Sequence, residues 1–230
     1  MTDAASLKRD AALKALEFVS DGMKLGLGTG STAEAFLEVL ALRVKAGLKV
    51  VGVPTSERTA DLCRKLGIPL STLEDLAPLD LDIDGADETD HQRNLIKGGG
   101  GAHLREKIVA ASSKKFLVIA DKSKLVQKLG KFPLPVEVIE YGKSTTLTRM
   151  TEAFAALGYA HVPMTPRMKD GAPFKTDSGN IIYDCAFGTI TDAPKLAAAL
   201  DGVTGVVEHG LFIGLATTLV IAGPDGIEVL

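Results

Sequence analysis

Apolar residues recur with two different periods in the first half of the chain, and these periods predict alternating strands and helices. Apolar positions three and four residues apart predict helices over residues 3–19, 33–44, 56–66 and 102–112, the first with Asp3 as its N-cap. Short apolar runs predict strands over residues 23–27, 48–53, 79–84, 95–97 and 116–120. Strands that alternate with helices of this length predict an α/β fold with a parallel sheet.

The pattern changes at residues 132–135 (FPLP), which predicts a domain boundary. Beyond it, strands are predicted over residues 136–140, 160–163, 180–185 and 205–208, with helices over 146–157 and 194–200. We therefore predict a main domain formed by residues 1–132 plus 208–230. Residues 133–207 are predicted to form a smaller α+β domain.

Apolar and acidic residues alternate strictly over residues 79–84, which predicts a strand with one solvent-facing side. Asp80 and Asp82 are interpreted as solvated charges on that side. Asp84 and Asp87 differ because they stand where the strand ends. Ligands of open α/β sheets bind outside the carboxyl ends of the strands, so both acids are candidate site residues.

Composition and charge argue against several classes of partner. The 26 basic and 29 acidic residues give a net charge of -3, and no arginine-rich run suggests nucleic acid. Cys63 and Cys185 cannot form a disulfide framework and are interpreted as small apolar packing residues. The N-terminus lacks the apolar core of a signal peptide, and residues 211–223 are too few to span a bilayer. These features predict a cytoplasmic protein with no nucleic-acid or membrane partner.

Two glycine-rich stretches are suited to anion binding. Residues 28–32 (GTGST) stand between a predicted strand and helix, and glycines 98–101 follow Lys97 and precede another helix. Backbone N–H groups at a helix N-terminus favour a phosphate. Capping of the helix by Ser31 and Thr32 is an alternative that is compatible with phosphate binding.

The first stretch also matches the loose dinucleotide-binding pattern, which would indicate a nicotinamide-dependent oxidoreductase. The following strand ends in residues 54–56 (PTS), with no acid to accept the ribose hydroxyl. A non-catalytic sugar-phosphate sensor is a further alternative, because it would also need the phosphate-binding loops.

Periodicity places two charged residues on solvent. Leu104, Ile108 and Ala111 form the predicted apolar stripe of their helix, and Glu106 falls on the opposite face. Lys8 stands beside the apolar stripe of the first helix and reads as a solvated lysine. Lys124, by contrast, follows a buried strand at a carboxyl end, where a phosphate handle of a substrate would lie.

The available side chains favour proton transfer. The four histidines show no metal-ligand spacing, and no Gly-x-Ser-x-Gly motif is present. Carboxylates combined with a lysine suit proton transfer next to a carbonyl, without a metal or redox cofactor. A sugar-phosphate isomerase is chemically coherent, although residue types do not choose it over other enzymes with phosphate ligands.

The motifs GTGST, DGADE, KGGGGA followed by LREK, ADKSK and GKFPLPVEV occur in this order over nearly the whole chain. The ordered set closely resembles ribose-5-phosphate isomerases of the A type. This resemblance implies interconversion of ribose 5-phosphate and ribulose 5-phosphate in the pentose phosphate pathway and the Calvin cycle, with no cofactor. It also implies a Rossmann-like main domain, a smaller α+β domain that mediates assembly, and a homodimer or homotetramer.

The resemblance also implies a role for each matched residue. Glu106 matches the general base, and Asp84 and Asp87 match acids that handle the sugar hydroxyls and assist ring opening. Lys97 and the backbone of the glycine run match the groups that stabilise the enediolate. The full set of expected substrate-binding residues is Lys8, Thr29, Gly30, Ser31, Thr32, Asp84, Gly85, Ala86, Asp87, Lys97, Gly98, Gly99, Gly100 and Lys124. We expect these residues to meet at one pocket.

Overall fold

The computed structural model describes residues 4–230, so the predicted Asp3 cap lies outside the described residues. In chain order the helices are α1 (Ala4–Leu16), α2 (Ser31–Lys45), α3 (Glu57–Leu66), α4 (Leu73–Leu76), α5 (His103–Ala111), α6 (Lys143–Ala156) and α7 (Ala193–Asp201). The first strands are β1 (Lys24–Leu27), β2 (Val51–Pro54), β3 (Leu81–Gly85), β4 (Glu88–Thr89), β5 (Leu95–Ile96), β6 (Phe116–Asp121) and β7 (Leu134–Val138). The others are β8 (Met164–Pro166), β9 (Met168–Lys169), β10 (Ala172–Pro173), β11 (Ile181–Cys185), β12 (Val206–His209), β13 (Leu211–Phe212), β14 (Thr218–Gly223) and β15 (Gly226–Val229).

Contacts divide the described chain into two compact units. Unit 1 contains the residues up to Ala86, Arg105–Leu125 and Gly214–Leu230. Unit 2 contains Asp87–Leu104 and Val126–Ile213. The division differs from the predicted boundaries, because β5 pairs with β4 and β13 and the Glu88 carboxylate accepts N–H groups from the loop before β7. These pairings join segments that are distant in sequence, and the change of sequence pattern near residue 133 gives no sign of them.

Unit 1 is built on a six-stranded sheet in the order β15-β14-β6-β3-β1-β2. All neighbouring strands are parallel except β15, which pairs antiparallel with β14. Apolar residues of α1 and α2, including Phe36 and Leu40, pack on one face of this sheet against Leu27 and Ile83. The predicted α/β class with a mostly parallel, Rossmann-like sheet is therefore confirmed.

The central strand β3 is buried on both faces, so the predicted solvent-facing side is wrong. Ile83 joins the core formed with α1 and α2, and Asp82 lies on the other face, where a Cβ at Gly26 would meet both Asp82 and Val109 of α5. Asp82 is fully buried rather than solvated. Asp80, just before the strand, stays partly exposed, and a hydrogen bond from Lys114 holds the pKa of its carboxyl below the ordinary value.

The predicted apolar stripe of α5 is also wrong. Ile108 is 48% exposed, whereas Glu106 is only 3% exposed and Val109 and Ala110 are buried. The helix turns Val109 inward, where it packs with Val53 of β2 and other apolar residues. Glu106 lies three residues before Val109, so both side chains are on the buried side of the helix.

Unit 2 contains an antiparallel sheet in the order β12-β7-β11-β8 and a second sheet in the order β13-β5-β4. Apolar residues of α6 and α7, among them Phe154 and Leu196, pack with those of β7 and β11 in its core. The strand predicted over residues 160–163 is wrong, because the strand begins at Met164, where pairing with Cys185 starts. The hairpin β9–β10 was not predicted. Its four residues are all exposed, so the hairpin has no buried face that would give its sequence an alternating apolar pattern.

Both cysteines pack as predicted. Cys63 and Cys185 are fully buried free thiols, one in the core of each unit. Burial raises the pKa of Cys63 from 9.0 to about 11 and also raises that of Cys185. Within residues 4–230, no helix combines the length and the apolar character needed to cross a membrane.

The raised pKa of Cys63 predicts how its contribution to stability depends on pH. The protonated thiol favours the folded state fully below pH 9, and this preference is lost as the pH rises through about 11. Thermal unfolding of the wild type and of Cys63→Ala at several pH values should show a gap in Tm that narrows between pH 9 and 11. A gap that stays constant over this range would contradict the buried, protonated thiol.

Candidate active site

Three segments of unit 1 that carry predicted site residues lie at one edge of its sheet. β1, β3 and β6 are parallel neighbours, so their carboxyl ends are at the same edge. The strands are followed there by residues 28–32, by Asp84 and Gly85 at the end of β3, and by a short 3-10 helix, Lys122–Lys124. The fold thus places the predicted residues where ligands bind in open α/β sheets.

The Asp84 carboxylate is seated directly against the first glycine of the GTGST loop. A Cβ at Gly28 would overlap the carboxylate and the backbone of Asp84. Oδ1 of Asp84 accepts hydrogen bonds from the N–H groups of Thr29, at 3.1 Å, and Gly85, at 2.7 Å. The carboxylate is fully buried, and these two backbone donors hold it in one orientation.

A cluster of hydroxyl groups supports the same loop. Thr29 Oγ1 lies 2.8 Å from Thr55 Oγ1, 2.8 Å from Ser56 Oγ and 3.0 Å from Thr59 Oγ1. Thr55 and Thr59 also donate to the carbonyl groups of Leu27 and Gly28. Sequence reasoning treated Ser56 only as the cap of α3, which it is. It missed the cluster, although three hydroxyl residues within five positions at a strand end were a signal.

The groups near the GTGST loop that are suited to phosphate binding also lie close together in unit 1. Helix α2 begins at Ser31 with Gly30 as N-cap, so Ser31 and Thr32 are in its first turn rather than capping it. Nζ of Lys8 donates to Oγ of Ser31 at 2.8 Å, so this partly exposed lysine contacts the loop as well as solvent. A lysine, a hydroxyl and the first N–H groups of a helix form an anion-binding arrangement.

Glu106 approaches the same edge from the face of the sheet. The N–H of Leu79, just before β3, bonds to the carbonyl of Ser112 at the end of α5, and Val109 lies opposite Gly26 in β1. Helix α5 therefore runs opposite to the strands. Glu106 is one turn nearer than Val109 to the carboxyl edge, on the same buried side.

Lys124 ends the 3-10 helix that follows β6 and is half-buried. The side chain of Asp121 caps this helix by accepting a hydrogen bond from the N–H of Ser123 at 2.9 Å. The cap fixes the start of the segment that carries Lys124, and β6 is the direct neighbour of β3. This agrees with the predicted placement of Lys124 at a carboxyl end.

Asp87, Lys97 and the glycine run lie in unit 2. The N–H of Lys97 bonds to the carbonyl of Gly210 at 2.9 Å, and its Nζ lies 5.6 Å from the centre of the Phe212 ring. Lys97 is only 2% exposed, which is uncommon for a lysine and typical of a functional one. The Asp87 carboxylate accepts the N–H of Gly99 at 2.7 Å.

The glycine run adopts a conformation that needs glycine at two positions. Gly98 and Gly101 have φ values of 102° and 79°. A Cβ would overlap the His103 ring at Gly98 and the Phe174 ring at Gly101. The loop is therefore closely packed within unit 2, and its backbone is not a flexible linker.

Comparison with known proteins gives the family. The family model described as Ribose 5-phosphate isomerase A (phosphoriboisomerase A) matches residues 51–226. The chain belongs to the ribose 5-phosphate isomerase A family. The family suggested by the ordered motifs is thus confirmed.

Relatives and solved structures of the ribose 5-phosphate isomerase A family match over full length. The chain is 56% identical over 230 residues to Ribose-5-phosphate isomerase A of Brucella suis biovar 1 (strain 1330), covering 100% of this chain and 99% of the relative. Ribose 5-phosphate isomerase from Plasmodium falciparum is 39% identical, with a TM-score of 0.93 and 98% of each chain covered. A D-ribose-5-phosphate isomerase in complex with phospho-erythronic acid is 35% identical, with a TM-score of 0.91 and 99% of each chain covered.

The contact of Gly28 with Asp84 predicts a cost for any side chain at position 28. Gly28→Ala should lower the free energy of unfolding by about 1–3 kcal/mol, because the added methyl group overlaps a buried carboxylate and backbone. Urea unfolding measures this change. Gly202→Ala is a matched control, because its Cβ would make only ordinary contacts at the end of α7. Equal stability of the two variants would show that Asp84 does not occupy this position.

Proposed function

We propose that the protein interconverts D-ribose 5-phosphate and D-ribulose 5-phosphate by proton transfer through an enediolate. The observation that carries the proposal is the buried position of Glu106, near the sheet edge where Asp84 and the GTGST loop lie, in a chain of this family. An aldose–ketose isomerase must move one proton between adjacent carbons and stabilise the oxyanion formed on the way. Carboxylates, a lysine and backbone N–H groups of the chain supply the means for these tasks.

Glu106 is the proposed general base that moves the proton between C2 and C1. It has the low exposure expected of a carboxylate shielded from water, and it lies in the first turn of α5. Asp84 and Asp87 are the proposed acids that bind the sugar hydroxyls and assist ring opening. Backbone N–H groups hold each of them in place, those of Thr29 and Gly85 for Asp84 and that of Gly99 for Asp87.

Lys97 and the backbone of Gly98, Gly99 and Gly100 are proposed to stabilise the enediolate oxygen. A buried ammonium group and fixed N–H donors stabilise developing negative charge far better than mobile water does. The burial of Lys97 and the tight packing of the loop support this role. The chemistry is complete with proton-transfer and charge-stabilising groups, so we propose that the reaction needs no cofactor.

Phosphate recognition is assigned to the start of α2 and its surroundings. Lys8 and Ser31 are hydrogen-bonded there, and the helix N-terminus adds N–H donors and a partial positive charge. The remaining proposed substrate-binding residues are Thr29, Gly30, Thr32, Gly85, Ala86 and Lys124.

The two alternatives are separable in one set of measurements. A non-catalytic sensor would bind ribose 5-phosphate without turnover, and a nicotinamide-dependent oxidoreductase would bind NAD. We expect turnover of ribose 5-phosphate to ribulose 5-phosphate, undiminished by a chelator, and no binding in an NAD titration. Binding without turnover, or loss of turnover with the chelator, would contradict the proposal.

We further propose a cytoplasmic enzyme of the pentose phosphate pathway that acts as a homodimer or homotetramer through its smaller α+β part. Two buried free thiols are compatible with a reducing compartment. In unit 2, Ile139, Tyr141 and Met168 are exposed, and large exposed apolar side chains are typical of interfaces. Light scattering on a size-exclusion column would give the assembly, and a monomer at micromolar concentration would contradict it.

Replacement of the general base tests the mechanism directly. Glu106→Gln should fold normally and lower kcat by about 10²–10⁴, because the amide cannot accept the proton. Glu38→Gln makes the same change at an exposed position of α2 and should keep full activity. Near-normal turnover by Glu106→Gln would remove this residue from the proton-transfer step.

Removal of the proposed substrate lysine should affect binding more than chemistry. Lys124→Ala should raise KM for ribose 5-phosphate about tenfold, because a charge-assisted hydrogen bond to phosphate is lost. Lys122→Ala is the control, since Lys122 is two residues away and exposed beside Asp225. Steady-state kinetics of both variants decide the point, and equal KM values would place the phosphate elsewhere.

A further inference from the structure

Arg167, which follows β8 in unit 2, makes a set of contacts that sequence reasoning did not anticipate. Its Nε and Nη2 donate to the two oxygens of Asp184, at 3.0 and 2.5 Å. Its Nη1 donates to the carbonyl oxygens of Gly98, at 2.7 Å, and Gly99, at 3.2 Å. One guanidinium group therefore joins a carboxylate on β11 to the loop that precedes α5.

Arg167 is itself firmly anchored. Its N–H donates to the carbonyl of Ile182, and its carbonyl accepts the N–H of Phe174, both at 2.8 Å. The Arg167 side chain is 15% exposed, and the bidentate pair with Asp184 fixes the plane of the guanidinium group. The group that meets the glycine loop is thus held from behind rather than adapting to the loop.

These contacts orient two consecutive peptide groups of the loop. A trans peptide is planar, with its C=O and N–H pointing in opposite directions. With the carbonyl oxygens of Gly98 and Gly99 turned to Arg167, the N–H groups of Gly99 and Gly100 are turned away from it. The first of these N–H groups bonds to Asp87. Arg167 and Asp87 therefore hold opposite edges of the same peptide group.

Glycines have little intrinsic preference for one orientation of their peptides, and Arg167 adds to the hydrogen bond from the N–H of Gly101 to the Gly98 carbonyl, at 2.9 Å, in fixing this loop. A positive charge at the carbonyl oxygens also polarises the peptides and strengthens their N–H groups as donors. An ion pair that only joined two strands would be complete with Asp184. The additional Nη1 contacts to the loop are what a positioning role requires.

We propose that Arg167, held by Asp184, is a positioning residue for the isomerase reaction. Together with Asp87, which accepts the N–H of Gly99, it fixes these peptide groups so that the N–H of Gly100 is available to the oxygen that becomes negative in the enediolate. This inference rests on the proposed function. Because the charge develops during the reaction, loss of Arg167 should affect the transition state more than the bound substrate.

The test compares Arg167→Gln with Arg167→Lys and with the control Arg149→Gln, which makes the same charge change at an exposed site on α6. We expect Arg167→Gln to lower kcat about 10–100-fold, somewhat less than the loss of a complete oxyanion donor. KM for ribose 5-phosphate should stay within about twofold of the wild type. The kcat of Arg167→Lys should lie between that of the wild type and that of Arg167→Gln, because lysine cannot hold a carboxylate and two carbonyl groups in one plane. The control should match the wild type.

A second measurement separates positioning from a merely structural role. Phospho-erythronic acid is a phosphorylated sugar acid. The negative charge of its carboxylate mimics the negative charge of the enediolate. Calorimetry should show that Arg167→Gln weakens its binding by a factor similar to the loss of kcat. Equal losses in KM and in binding of this acid, accompanied by a lower Tm, would overturn the proposal, as would an unchanged kcat.

If Arg167→Gln does not fold, Arg167→Lys and Asp184→Asn carry the same test, and both should lower kcat at nearly constant KM. Wild-type values for both variants would overturn the proposal. Failure of the proposed function gives a different result, since the wild type itself would then not turn over ribose 5-phosphate.

Discussion

The carboxyl edge of the sheet in unit 1 depends on the close contact between the Asp84 carboxylate and Gly28. Two parallel strands end side by side there, and the carboxylate occupies the space that a side chain at position 28 would fill. A buried carboxylate is costly unless it is hydrogen-bonded, and backbone N–H groups of Thr29 and Gly85 meet this need. This contact determines the path of the GTGST loop and the position at which α2 begins.

The protein buries several charged side chains that folding by itself would leave in water. Asp82, Asp84, Lys97 and Glu106 are each less than 4% exposed. Burial of a charge lowers stability unless partners compensate, so each of these residues depends on partners within the fold. Glu137 in unit 2 is a related case, because burial raises its pKa even though Thr176 and Asn180 donate to it.

The glycine run shows how a flexible sequence becomes a rigid site. Gly98 and Gly101 pack against the His103 and Phe174 rings, and Arg167 and Asp87 hold the peptide between Gly98 and Gly99 from both edges. The conformation of this loop is therefore determined by side chains that are distant in sequence, Arg167 by almost seventy positions. Preorganised donors of this kind stabilise a developing charge without having to reorganise.

Local sequence patterns predict the α/β class, most of the longer helices and strands, the cap of α3 at Ser56, and the motifs that identify the family. These features depend on neighbours within a few residues, and local patterns report them well. Long-range packing, by contrast, buries Glu106 and Asp82, exposes Ile108, brings Lys8 to Ser31 and starts β8 at Met164. The reason is physical: periodicity assumes that apolar residues mark the buried face, whereas the buried face is set by what packs against it. A site that needs charged groups away from water breaks that assumption where it functions.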